Sequence, residues 1–282
     1  MKASTNIRTG ISAWILLLVV ALAGCNNPAT TEQAATPPAD TVKKEVTLTP
    51  EALSMLNAFP TPFEITGMLE KAKAGFIFDI TNSPDSVGKY TTETSKALNL
   101  GVYSADLAYS ATYNRTDETG KFLGATNKLA DELAIAGVYD QTLLEKVKKF
   151  GNKKDSLISL IGKIFSQTSG YLNSNNRTKV SVMVVAGGFA EGIYLAASLA
   201  QVAKDNTKIM AVIAGQKETH MKLLTILEAY QGEESMKPVV EGIAKLKPIW
   251  GSYEIESGKK IPQQKAVEIS DLAESVRISF VK

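Results

Sequence analysis

Residues 183–200 read MVVAGGFAEGIYLAASLA, an almost wholly apolar run that holds three glycines and one carboxylate, Glu191. Three structures compete for such a run: a membrane span, a phosphate-cradling loop and a core helix with a buried acid. The apolar segment from Val180 to Ala203 is long enough to span a bilayer, and Gly188 and Gly192 are spaced for close helix contact. Glu191 near its middle opposes a span, because an acid there costs ~2.5–3.5 kcal/mol on insertion, and no aromatic girdle flanks it. As a phosphate loop, AGGFAEG lacks GxGxxG spacing and no strand feeds it. The run therefore reads as a central core helix. Its glycines admit a neighbouring helix at a propensity cost of up to ~1 kcal/mol each.

A second run shares this character. Residues 98–113 read LNLGVYSADLAYSATY, again apolar nearly all round, with one glycine and one acid. Both runs carry A-[D/E]-x-x-Y, as Ala105-Asp106-x-x-Tyr109 and Ala190-Glu191-x-x-Tyr194, which places each acid beside its tyrosine on one helix face. Asn99, Tyr103, Asp106, Ser110 and Tyr113 form one stripe, and Gly187, Glu191, Tyr194 and Ser198 a similar one. The match is short enough for either two related helical halves or coincidence.

Nearly everything between and beyond these runs is patterned as helix. Thr61-Pro62-Phe63-Glu64 is a capping box with proline at the first helical position, and Thr49-Pro50-Glu51 opens a shorter helix. Helical periodicity predicts further elements at about 92–113, 119–136, 140–150, 155–174, 178–204, 207–231, 235–253 and 263–280. Residues 75–80, GFIFDI, alone show strand-like alternation. The expected fold is all-α: a bundle of antiparallel helices around the two apolar core helices at 92–113 and 178–204.

A carboxylate in such a core needs a cation, hydrogen-bond donors or a proton. Arg177, His220 and the hydroxyls of Tyr109 and Tyr194 are the candidate partners of Asp106 and Glu191. Those four residues, Asp106, Tyr109, Glu191 and Tyr194, either fix helix register as a satisfied network or line a small-ligand pocket. A metal centre is not expected, since the chain has one histidine and no Glu-x-x-His pair. No GxSxG or other catalytic motif and no cofactor fingerprint appears, so neither catalysis nor a cofactor is expected. His220 shares a helical face with Ile209, Ile213, Leu223, Leu224 and Leu227, as a core-edge histidine does. Lysines 146, 148, 149, 153 and 154 read as a solvated helix end or as contacts to anionic lipid headgroups.

The N-terminus shows a basic n-region, Lys2 and Arg8, then the apolar stretch Ile11–Ala21 and Leu22-Ala23-Gly24-Cys25. This layout is that of a secretory signal peptide, and LAGC resembles the bacterial lipobox. The resemblance implies removal of residues 1–24, acylation of Cys25 and a membrane anchor held by two or three chains. Removing residues 1–24 lowers Lys plus Arg from 31 to 29, against 29 Asp plus Glu, so the remaining side chains are balanced. Nothing in this balance suggests a nucleic-acid partner, which would call for a basic face. Cys25 is the only cysteine, so no disulfide framework supports the fold. Residues 25–48, rich in Pro, Ala and Thr, read as a disordered tether, and 49–282 as one helical domain. Asn26 stands where enterobacterial lipoproteins retained in the inner membrane carry aspartate, and no acidic cluster follows. That implies the outer membrane, facing the periplasm.

The patches ALNLGVYSADLAY, KDSL and GGFAEGIYLA resemble a group of uncharacterised helical lipoproteins from Bacteroides-type bacteria. The resemblance runs over roughly residues 60–230 and implies an all-helical envelope domain, with no catalytic residue to transfer. It also implies O-glycosylation at Asp-[Ser/Thr]-aliphatic sites, matched at Thr41, Ser86 and Ser156, where turn and N-cap chemistry is the competing reading. Two functions stay open: an envelope interaction or scaffold domain that docks a partner protein, and a small-ligand-binding protein.

Overall fold

The computed structural model describes residues 46–135, 145, 149, 153–251 and 259–282. Cys25, Thr41, the signal peptide, most of the tether and most of the helix expected at 140–150 lie outside the described residues. The folded body is the compact unit Glu45–Lys282.

Helix α1 (Pro50–Asn57) starts at Thr49, whose Oγ1 accepts the Ala52 N–H at 3.2 Å. Helix α2 (Pro62–Lys71) starts with the expected capping box, the Thr61 N–H donating to Glu64 Oε1 at 3.1 Å. An irregular segment and a 3-10 turn (Pro84–Lys89) lead to α3 (Glu93–Thr112) and α4 (Thr116–Glu132). After α5 (Lys154–Ser174) and α6 (Thr178–Val202) come α7 (Thr207–Gly215), α8 (Lys217–Glu228), α9 (Lys237–Ala244), the single turn α10 (Pro248–Gly251) and α11 (Gln263–Val281). Every regular element among the described residues is helical, and the fold is an all-α bundle.

The opening run lies in α6. Among the described residues this is the helix long and apolar enough to cross a membrane, and its most apolar stretch is entirely buried inside the protein. Helix α3 is buried from Ala97 to Thr112. The two cross backbone to backbone. A Cβ at Gly101 would stand 2.0 Å from the Val184 carbonyl oxygen, and one at Gly187 would stand 2.0 Å from that of Leu98. Contact this close requires residues without side chains. Gly192, the other half of the small-residue pair, faces Ile65 of α2, so α2 packs over α6 just beyond the crossing.

Four helices end in one way. The amides of Ala74, Arg115, Ile135 and Arg177 donate to the carbonyls of Leu69, Ser110, Ala130 and Leu172, each five residues back. The residue before each donor has positive φ: Lys73 64°, Asn114 57°, Ala134 55° and Asn176 57°. This is the Schellman turn. Asparagine takes the left-handed region with little penalty, whereas Lys73 and Ala134 are held there by the turn around them.

Several elements depart from the sequence reading. The GFIFDI segment forms no strand: Phe76 leaves the chain to stack on Tyr109 at 4.9 Å, and Asp79 has φ 63°. The helix expected at 207–231 is broken after Gly215, and that at 235–253 divides into a 3-10 turn, α9 and α10, with Pro248 opening the last. The end of the segment read as tether belongs to the body, with Leu48 buried and Val46 packed on the core. Of the lysine cluster, Lys154 pairs with Glu70 on α2.

The crossing generates a paired test. Gly101→Ala should cost about 3 kcal/mol, the upper end of overpacking costs, because its methyl meets rigid backbone. Gly124→Ala on α4, where an added Cβ meets nothing within 4 Å, should stabilise by up to about 1 kcal/mol. Denaturant titrations of the two variants check the contrast.

Candidate functional site

Beyond the glycine crossing, α3 and α6 bring Asp106 and Glu191 within hydrogen-bond reach of each other, both at 0% exposure. Glu191 receives Arg277 of α11, whose Nε lies 3.0 Å from Oε1 and 2.8 Å from Oε2. The guanidinium also lies 4.6 Å from the centre of the Tyr194 ring, a cation–π contact. Asp106 Oδ2 accepts the Asn82 N–H at 3.0 Å, while Oδ1 is buried with no donor among the described residues.

This geometry assigns the charges. Two buried carboxylates sharing the neighbourhood of one guanidinium, which bonds Glu191 alone, would leave a net negative charge out of water, which a proton removes. Burial, and then the neighbouring Glu191, push the Asp106 carboxyl well above the usual aspartate range. Glu191 is also raised by burial, but Arg277 opposes that rise. The proton therefore resides on Asp106, and Oδ1 is the oxygen left to carry it toward Glu191. Neutral acid, carboxylate and guanidinium then sum to zero charge.

A ring of neutral groups extends the network. Asn82 Nδ2 donates to Tyr90 Oη at 2.9 Å and to Asn99 Oδ1 at 3.4 Å. Asn99 Nδ2 donates to the Phe280 carbonyl at 2.8 Å, and Tyr90 Oη to that of Val281 at 3.3 Å. Tyr103 donates to the Ser83 carbonyl at 2.7 Å. The last carbonyls of α11 thus find side-chain donors where the helix has none to offer. The buried stripe of α3 holds both the segment before the 3-10 turn and the end of α11.

The four candidate residues do not act as one pocket. Asp106 and Glu191 meet, and Tyr194 joins them through Arg277. Tyr109 turns away: its hydroxyl accepts the Ile77 N–H at 2.8 Å, and burial raises its pKa to about 12. Arg177 and His220 are not partners of the acids. Arg177 donates to the Leu133 carbonyl and pairs with Glu93 at 3.0 Å. His220 Nε2 lies 2.8 Å from the Ile243 carbonyl oxygen, and its ring stacks with Phe189 and Trp250. Burial lowers its pKa, so it sits neutral in the core.

Arg277 is the residue that sequence reasoning missed. A signal was present: Ala266, Ile269, Ala273, Val276 and Phe280 are buried at helical spacing on α11, and Arg277 lies on the edge of that face. Asn82 could not be read as a partner of Asp106, because it meets that acid through its backbone amide, which every non-proline residue carries. Among the described residues no cluster of His, Cys, Asp or Glu could hold a metal. Of the matched glycosylation sites, Ser156 is exposed in the first turn of α5, and Ser86 is half-buried in the 3-10 turn. No protein-family model, curated protein or solved structure matches this chain.

Glu191→Ala should cost about 3–5 kcal/mol, because it strands a buried arginine. Asp106→Asn should stay within about 1 kcal/mol of the native protein, since the amide donates to Glu191 and accepts from Asn82. Glu191→Gln should fall between them. The pH dependence has a fixed sign. A carboxyl whose folded pKa is raised binds its proton more tightly when folded, so its contribution is complete below the ordinary value of 3.8 and declines as pH rises toward the folded value. Native stability relative to Asp106→Asn should therefore fall by up to about 1.4 kcal/mol per pH unit in that window. Urea unfolding of both proteins from pH 4 to pH 9 measures the slope, and parallel curves would refute the shared proton.

Proposed function

We propose that this chain is a lipid-anchored protein of the cell envelope, held by acylated Cys25 in the outer membrane and facing the periplasm. Its helical body acts there as a non-enzymatic interaction or scaffold domain. The observation that carries the second half is the use of Asp106 and Glu191. Both acids are fully buried and committed to internal partners, Asn82 and Arg277. A pocket for a small ligand at these residues would need access that Arg277 and the irregular segment before the 3-10 turn occupy. The anchor half rests on the n-region, apolar stretch and LAGC of the sequence.

In this reading α1 to α11 present a surface of mixed charge to an envelope partner, and the polar network fixes the relative placement of α3, α6 and α11. Cys25→Ser should leave the protein unacylated and free of membranes after cell fractionation, with its far-UV circular dichroism unchanged. The native protein should band with outer-membrane markers in a density gradient. Retention of Cys25→Ser in the membrane pellet would refute the anchor.

A further inference from the structure

A cleft of about 450 Å³ opens between α1 and α5, on a face that the acid network does not reach. Its size falls within the ~300–1,000 Å³ of small-ligand sites. Its floor is apolar, made by Leu53, Leu56, Phe59, Phe165 and Val185. One wall is a face of α5 at helical spacing: Ser166, Ser169, Gly170, Asn173 and Ser174. Helix α5 changes character to make this wall. Its first half buries Leu157, Ile161, Ile164 and Phe165, whereas its second half, SQTSGYLNS, gives serine, glycine and asparagine to the cleft.

The polar groups of that wall have bonding capacity to spare. Ser166 and Ser174 donate to the carbonyls of Gly162 and Gly170, which leaves their oxygens as acceptors. Asn173 Nδ2 donates to Asn57 Oδ1 at 2.7 Å across the cleft. Asn173 Oδ1 is buried and has no partner among the described residues. Asn57 keeps its own amide hydrogens. No lining residue is charged, and Lys179, beside the adjoining hollow of about 250 Å³, is paired with Glu233 at 3.0 Å.

We propose that this cleft binds an uncharged saccharide. A zwitterion, a phosphate or a sugar acid would lose its hydration and gain no counter-charge. An acyl chain would leave the serine and asparagine wall unpaired. A peptide bound as an added strand asks for an open sheet edge, and both walls here are helices whose backbone groups are already bonded. A neutral pyranose fits both surfaces: its C–H face covers Phe59 and the leucines, and its hydroxyls exchange hydrogen bonds with the Asn57–Asn173 pair and the serines. The inference is independent of the anchor, since Cys25→Ser leaves the cleft intact.

Gly170 supplies the test, because a Cβ added there meets no atom within 4 Å and points into free space. The full-length chain, purified in a sugar-free detergent, is titrated calorimetrically with N,N′-diacetylchitobiose and maltotriose. Glucuronate and acetyl-triglycine amide serve as charged and peptide counterparts. At least one uncharged saccharide should bind with millimolar affinity or better. Gly170→Trp, which fills the cleft, should abolish that binding, Gly170→Leu should weaken it at least tenfold, and Asn173→Ala should weaken it about tenfold. Gly170→Ala should bind as the native protein does, and circular dichroism should show all variants fully helical. No saccharide binding up to 50 mM overturns the proposal. So does binding that survives in both Gly170→Trp and Gly170→Leu, or stronger binding of glucuronate or the peptide.

Discussion

The contact between the α3 and α6 backbones sets the rest of the structure. With Leu98, Gly101, Val184, Gly187 and Gly188 at van der Waals limits, no side chain separates the two helices at their crossing. The helices must then diverge on either side, and the space that opens is filled by whatever the next turns carry. On one side these turns carry the two acids. The glycines therefore decide more than a distance: they determine that Asp106 and Glu191 share one enclosed volume, and so that one of them must remain protonated.

Once that volume exists, the remaining elements are placed by the need to satisfy it. Arg277 brings α11 onto α6 to balance Glu191. The Asn82 amide brings the irregular segment onto Asp106. Removing a single partner from such a cluster is costly, although an apolar replacement of the whole cluster would cost little. What the cluster supplies is placement: Arg277 fits opposite Glu191 in one register of α11, and a one-turn slip would carry it away from that acceptor.

Much of this was legible in the sequence, for reasons that differ by element. The core helices could be read because 183–200 and 98–113 are apolar on all sides, which no surface helix tolerates, and because their glycines lie in mid-helix, where propensity opposes them. The acids stood out against that background. Arg277 did not, because arginine on an amphipathic helix ordinarily faces water and its partner lies 86 residues earlier. The GFIFDI segment misled because alternation measures which side chains are apolar, not whether a neighbouring strand exists to pair with. The breaks at Gly215 and Pro248 were crossed because apolar periodicity resumes in phase beyond them.

The distance along the chain between Glu191 and Arg277 has a temporal meaning. A protein is made from its N-terminus, so α3 and α6 are available to associate before α11 exists. During that interval the glycine crossing can form, but it encloses two acids with no guanidinium between them. The core must stay loose and hydrated there until the final helix arrives, and the last carbonyls of that helix then close over Asn99 and Tyr90. Arrival of the C-terminal helix is thus the step that dries the interior, and a chain halted before Arg277 carries the apolar helices without the means to seal them.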